Sequence, residues 1–155
     1  MHDIVIYIAK YLIVVPPLLL ALVWFRLPWA TKRQALIVGV IAAAITGVLA
    51  VIGSHLYNDP RPFVAGHFTP YFPHGNDNGF PSDHTLFAAL CGSIALLYSR
   101  RIGTITLCLA ALIGASRVIA GVHHMTDIVG GLLFAYVGVG FAWLIVSKLN
   151  SRSKA

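Results

Sequence analysis

The sequence predicts an all-α integral membrane protein, a bundle of about five transmembrane helices with a long external loop between helices 2 and 3. Three observations predict it. Of the 155 residues, 58% are hydrophobic and 10% charged, a balance that water-soluble domains rarely hold. The apolar residues fall in five runs, each near the ~20 residues that a bilayer core requires. The cations lie mostly in short connections between those runs, so the net charge of +6 reads as membrane topology and not as affinity for nucleic acid. The length is that of one domain, residues 1–155.

The first run, about Ile4 to Phe25, follows Met-His-Asp and has no cationic n-region of the kind that precedes a cleaved signal, so it is expected to stay as a helix. Pro16-Pro17 is expected to kink it, because an interior proline loses a backbone donor and clashes with the preceding turn. Arg26, Lys32 and Arg33 form a cationic connection to the second run, about Gln34 to Tyr57, whose small residues allow close helix approach. Asn58 to Phe80 then carries Pro60, Pro62, Pro70 and Pro73 with Gly66, Gly75 and Gly79, a loop of a length that is usually functional. Pro81-Ser82-Asp83 signals the third helix, about Ser82 to Ser99, with Ser82 as the capping hydroxyl and Asp83 as a first-turn acid. Arg100-Arg101 ends it. The fourth run, about Ile102 to Ala120, and the fifth, about Thr126 to Ser147, precede a polar tail with Lys148, Arg152 and Lys154. Cys91 and Cys108 lie inside apolar runs at no disulfide or metal-binding spacing and read as small packing residues.

Lysine and arginine in short loops favour the cytoplasm. With five crossings, Arg26, Lys32, Arg33, Arg100, Arg101, Lys148, Arg152 and Lys154 fall on one side, against Lys10, Arg61 and Arg117 toward the other. The N-terminus is therefore expected outside and the C-terminus inside. Asp3, Asp59, Asp77, Asp83, Asp127 and the seven histidines then lie at or near the external face, where the stretches around Arg61, His84 and His123 are expected to meet.

Ser116 to Asp127 organises those stretches, since ionisable groups at a bilayer boundary are costly unless paired or used. Arg117 can hold an anion, His123 can attack it, and Asp127, four residues on, can orient the imidazole across a helical turn. His124 does not share that face; with His55, His67, His74 and His2 it reads as an interfacial or internally satisfied polar residue. In Asp59-Pro-Arg-Pro-Phe, Arg61 stands on backbone stiffened by two prolines, so its fork can be aimed at phosphate; a headgroup anchor is the equal alternative. In Phe80-Pro-Ser-Asp-His-Thr, the free helix amides and Ser82 make a phosphate cradle, and His84 can give or take a proton. Taken alone, that hexapeptide is more often an ordinary capped helix start.

In this order the three stretches resemble the signature of the type-2 phosphatidic acid phosphatase superfamily. That signature is a lysine followed six residues later by Arg-Pro, then Pro-Ser-Gly-His, then Ser-Arg with five residues to His and three to Asp. Arg61-Pro62, Pro81-Ser82-Asp83-His84, and Ser116-Arg117 with His123 and Asp127 stand for the three parts, over about Tyr57 to Asp127. Two positions depart: Ser54 replaces the lysine, and Asp83 the glycine. The forms Asp-Pro-Arg-Pro-Phe-Val and Phe-Pro-Ser-Asp-His-Thr look like the bacitracin-resistance branch, the undecaprenyl-diphosphate phosphatases.

The resemblance implies a single transmembrane phosphatase domain over residues 1–155. It would hydrolyse undecaprenyl diphosphate, the spent carrier of peptidoglycan precursors, at the outer face of the bacterial inner membrane through a phosphohistidine. It implies His123 as nucleophile, Asp127 as its partner and His84 as acid and base, with Arg61, Arg117, Ser82 and the substituted Asp83 around the phosphate. Lys10 is expected to snorkel toward the site and supply charge missing at Ser54. Most members carry six crossings, so this chain is expected to lack the first. The implied partners are the polyprenyl diphosphate and membrane lipids, with no nucleic acid and no cofactor. A zinc or magnesium ion is the lesser expectation, since arginines and helix amides do a metal's work. Phosphatidic acid, phosphatidylglycerophosphate and lipid A are alternative substrates. From other classes, a small anion transporter is disfavoured by the scarcity of polar residues within the runs, and a di-haem carrier by histidines that cluster at one end.

Overall fold

The computed structural model describes residues 2–152, and most of these are helical, with no strand among them. α1 (His2–Tyr11) passes through a short 3-10 segment (Leu12–Val14) into α2 (Val15–Arg26). The irregularity falls where proline was expected to cause it. Pro16 and Pro17 stand in the first turn of α2 directly after the 3-10 segment and lack the N–H groups that would bond back to it, so the α-helical ladder is interrupted there. α3 (Trp29–Leu56) starts before Gln34, because Lys32 and Arg33 are good helix formers and join its first turns. Lys32 also lies 5.0 Å from the centre of the Trp24 ring, a cation–aromatic contact beside the α2–α3 turn.

The long loop contains one helical turn, α4 (Pro62–Ala65). α5 (Asp83–Tyr98) and α6 (Arg100–Ile119) are joined by Ser99, whose hydroxyl accepts the Ile102 amide at 3.5 Å. α7 (Met125–Arg152) continues beyond Ser147, and Lys154 lies outside the described residues. The capping expectation for Ser82 is corrected. It occupies the cap position of α5 with extended backbone, but its fully buried hydroxyl accepts Thr85 Oγ1 at 3.2 Å and makes no cap bond.

α5 is the axis of the bundle. Its Ala88, Ala89, Leu90 and Ile94 pack with Val38 and Ala42 of α3, Ala110 and Ile113 of α6, and Ala135, Val139, Ala142 and Val146 of α7. Small side chains bring helix backbones close, which matters where lipid outside removes the hydrophobic difference between core and surroundings. Cys91 is buried in this interior, as a packing residue would be, whereas Cys108 is exposed on α6. His2–Arg26, Trp29–Leu56, Arg100–Ile119 and Met125–Ser151 are long and apolar enough to cross a bilayer. α5, at 16 residues, is shorter and shielded by its neighbours. Phe25, Trp29, Leu56 and Tyr136 are each at least two-thirds exposed, an apolar surface that lipid would cover. The molecule is an all-helical membrane bundle.

A second apolar cluster fixes the polar end. Ala9 of α1, with Val5 and Ile6 beside it, packs against Phe63 and Phe72 of the loop and Ala120 and Val122 of the α6–α7 turn. α1 thus forms a wall beneath the loop.

Candidate active site

His123 is delivered by a turn that needs glycine. After α6 ends, Gly121 adopts φ +78, where a side chain would be strained and would also press on the Phe68 ring. Val122 N–H donates back to the Arg117 carbonyl at 3.1 Å, and His123 emerges just ahead of α7. Asp127 follows in the first turn of that helix. His123 Nδ1 lies 3.0 Å from Asp127 Oδ2, with the two side chains 3% and 0% exposed. The His124 amide donates to the same oxygen at 2.9 Å. Gly79 lies against this carboxylate, where an added Cβ would stand 2.9 Å from Asp127 Oδ2.

Arg61 is held by the loop. The Val64 and Ala65 amides donate to its carbonyl, and Pro60 and Pro62 restrict the backbone on either side. Asn78 clamps the neighbouring chain: its carbonyl oxygen accepts the Asp59 and Phe80 amides, while its NH2 donates to the Ser54 and Tyr57 carbonyls. The Arg61 fork, 4% exposed, donates through Nε and Nη2 to the two Asp77 oxygens, at 3.2 Å each. Nη1 donates to the Val122 carbonyl at 3.0 Å and lies 3.2 Å from His123 Nε2.

That last contact assigns the tautomer. A guanidinium can only donate, so His123 Nε2 offers its lone pair and the ring proton resides on Nδ1, facing Asp127. Burial is the strongest influence on the ring and lowers its pKa from 6.5; the Asp127 hydrogen bond opposes this, while Arg117 and Arg61 reinforce it. The site therefore holds an unprotonated, carboxylate-oriented imidazole.

Arg117 comes from the last turn of α6. Its Nη1 donates to the Ala9 carbonyl at 3.1 Å, and its Nη2 donates to His74 Nε2 at 2.8 Å. Its buried Nε has no partner. His74 accepts from Arg117 and is thus neutral with its proton on Nδ1. Burial, then the charges of Arg61 and Arg117, lower its pKa from 6.5. The His74 and His123 rings meet edge-on, 6.1 Å between centres. Asp77, pinned by Arg61, has its pKa lowered chiefly by that hydrogen bond.

His84 stands half-buried in the first turn of α5, within electrostatic reach of Arg117, His123 and His74. Asp83 is exposed beside it and acts on Arg117 through its charge. Lys10 lies 5.7 Å from the centre of the Phe72 ring, which Arg117 also approaches, at 6.0 Å. Ser54 turns its hydroxyl back to the Val51 carbonyl of its own helix. The structure thus gathers Arg61, Ser82, His84, Arg117, His123 and Asp127 at one end of the bundle.

Sequence reasoning passed over two neighbours of this group, His74 and Asp77. Both lie in the proline- and glycine-rich loop, where residue spacing implies no geometry. The available signal was an imidazole and an acid in the same loop as Arg61, on the face where Arg117 was also expected. His2 stacks on Tyr71, His55 bonds the Val51 carbonyl of its own helix, and His67 is exposed.

Two guanidinium groups beside a lone pair can hold a tetrahedral anion against a nucleophile, and the proteins that this chain resembles are phosphatases by name. The model of the PAP2 superfamily matches residues 34–151. Undecaprenyl-diphosphatase BcrC of Bacillus subtilis is 34% identical over 154 residues, covering 96% of this chain and 76% of the relative. Putative undecaprenyl-diphosphatase YbjG of Escherichia coli is 36% identical over 156 residues, covering 98% and 77%. Among solved structures, Aquifex aeolicus LpxE shares the fold, with a TM-score of 0.69 and 24% identity over 92% of this chain and 82% of that one. A family match across most of the length, joined to motif residues that converge in space as well as in order, means that the chain belongs to the PAP2 superfamily.

Proposed function

We propose that this membrane phosphatase hydrolyses undecaprenyl diphosphate to undecaprenyl phosphate and inorganic phosphate, with residues 1–155 acting as one catalytic domain. The observation that carries the chemistry is the His123 Nε2 lone pair, 3.2 Å from Arg61 Nη1 and backed through the ring by Asp127. Nε2 attacks the terminal phosphorus while the bond to the bridging oxygen breaks, and Asp127 stabilises the cationic ring that results. Arg61, Arg117, Ser82 and the α5 amides take the phosphoryl oxygens and offset the charge that builds in the transition state. His84 protonates the departing lipid phosphate, then accepts a proton from the water that cleaves the phosphohistidine.

The diphosphate lipid suits the surroundings. An apolar groove of about 590 Å³ runs between α2, α3 and α5, lined by Leu20, Trp24, Val40, Phe87 and Ile94 among others. Phe87 lies one turn along α5 from His84, so the groove leads away from the phosphate site, as a long isoprenoid tail requires. The approach of both Lys10 and Arg117 to the Phe72 ring supports a role for Lys10 in the charge lost at Ser54. The cation count of eight against three supports a site that faces outward from the bacterial inner membrane.

The test is release of phosphate by purified protein from undecaprenyl diphosphate and, in parallel, from phosphatidic acid, phosphatidylglycerophosphate and lipid A. Preference for the diphosphate by kcat/KM is expected; preference for a monophosphate would assign the same chemistry to another lipid. For the orientation, cysteines placed at positions 74 and 101 should label from opposite sides of the membrane. Labelling from the same side would contradict it.

A further inference from the structure

Asp127 is shared between His123 and a second group of side chains that the reaction does not use. Asp59 Oδ1 lies 3.1 Å from His124 Nδ1, and Asp59 Oδ2 accepts Thr126 Oγ1 at 3.0 Å. One ligand-type atom from each of Asp59, His124 and Asp127 lies within 4.8 Å of the other two.

Three features point to a cation. First, the contact between Asp59 and His124 is close but is not a hydrogen bond: His124 Nδ1 is buried and has no hydrogen-bond partner. Two donor atoms adjacent yet misaligned are what a shared ion produces, since metal bonds of about 2.0–2.2 Å in a tetrahedron set neighbouring ligands roughly 3.3 Å apart. Second, Asp127 is fully buried, and its Oδ1 accepts no hydrogen bond. Third, two carboxylates almost out of water, Asp59 at 13% and Asp127 at 0% side-chain exposure, converge beside His124, while the His123 imidazole takes only one Asp127 oxygen. Buried carboxylates are costly unless paired or bound to metal.

We propose that Asp59, His124 and Asp127 bind one divalent ion of the zinc class and that its occupancy inhibits the enzyme. One imidazole nitrogen and two carboxylate oxygens suit zinc and its neighbours, leaving a fourth position for water, whereas magnesium and calcium prefer all-oxygen ligands. An ion on Asp127 withdraws the negative charge that His123 needs once its ring becomes cationic. Asp59 and His124 side chains touch neither phosphate nor the attacking nitrogen in the proposed mechanism, so the metal-free reaction does not depend on them. The inhibitory part rests on the proposed role of Asp127; the binding part does not.

The experiment uses the full chain, stripped of metal by chelator. Zn2+ is titrated by calorimetry and Co2+ by visible absorption, and phosphate release is then measured with and without Zn2+. One ion per chain, with the absorption bands of four-coordinate cobalt, is expected. Asp59→Asn and His124→Gln should each weaken binding by about tenfold or more and relieve zinc inhibition, with metal-free rates within about twofold of the parent. Binding that survives both substitutions, or that is lost in His74→Gln instead, would overturn the site. Loss of the metal-free rate in both variants would overturn it too, by placing these residues in the reaction. Cobalt binding that follows Asp59 and His124 in a protein inactive on every lipid would uphold the site and sink only the function.

Discussion

Arg61 and Arg117 approach the same anion site from opposite supports. Arg61 rides on a proline-stiffened loop, and its fork is already engaged by Asp77, the Val122 carbonyl and His123. Arg117 rides on α6, is anchored by the Ala9 carbonyl and His74, and keeps a buried Nε with no partner. The helix-borne guanidinium is preorganised with a donor to spare. The loop-borne one has most of its N–H groups engaged, two of them by Asp77, so an incoming anion competes with that carboxylate. On the proposed mechanism, Arg117 would be the fixed element that meets transition-state charge, and Arg61 the exchangeable one that substrate and product displace from Asp77.

Substitutions at the two arginines can break that comparison. Arg117→Gln should lower kcat by about 10²–10³-fold, the usual cost of one preorganised donor to a developing charge. Arg61→Lys keeps the charge and loses the fork, and should cost about tenfold, chiefly in KM. If the Arg61 variant suffered the larger loss in kcat, the assignment of fixed and exchangeable elements would be reversed. A smaller effect sharpens it. Asp77 is 69% exposed, so its pairing with Arg61 is screened; Asp77→Asn should lower KM and tighten inhibition by inorganic phosphate by no more than about fivefold. Weaker phosphate inhibition in that variant would mean that Asp77 helps to bind the anion. The smallest signal lies in pH. Attack requires unprotonated His123, whose pKa is lowered from 6.5, so the reactive form persists below that value as pH falls. The acid limb of kcat/KM for the parent should therefore lie below pH 6.5, and a limb above it would contradict the burial argument.

The helices and the pairing of His123 with Asp127 were legible in the sequence because each rests on a period: the apolar runs for the helices, a four-residue spacing for the pair. The Ser82 hydroxyl defeated that reasoning, since a buried Thr85 one turn on competes for it. The loop was legible only as a loop. Asp77 and His74 reach Arg61 and Arg117 through bends that no period describes, and Asn78 fixes those bends with side-chain bonds to residues more than 18 positions away. The convergence of Asp59 and His124 on Asp127 is likewise a tertiary fact, invisible to a rule that compares neighbours four apart.

The central claim is that His123 carries the phosphoryl group. Its most direct test is rapid acid-free quenching of the His84→Ala protein with substrate labelled in the terminal phosphate, followed by mass spectrometry of the peptides. Label on Nε2 of His123, absent from His123→Ala, is the expected result. Label on another residue, or turnover by His123→Ala at a rate near that of the parent, would contradict it.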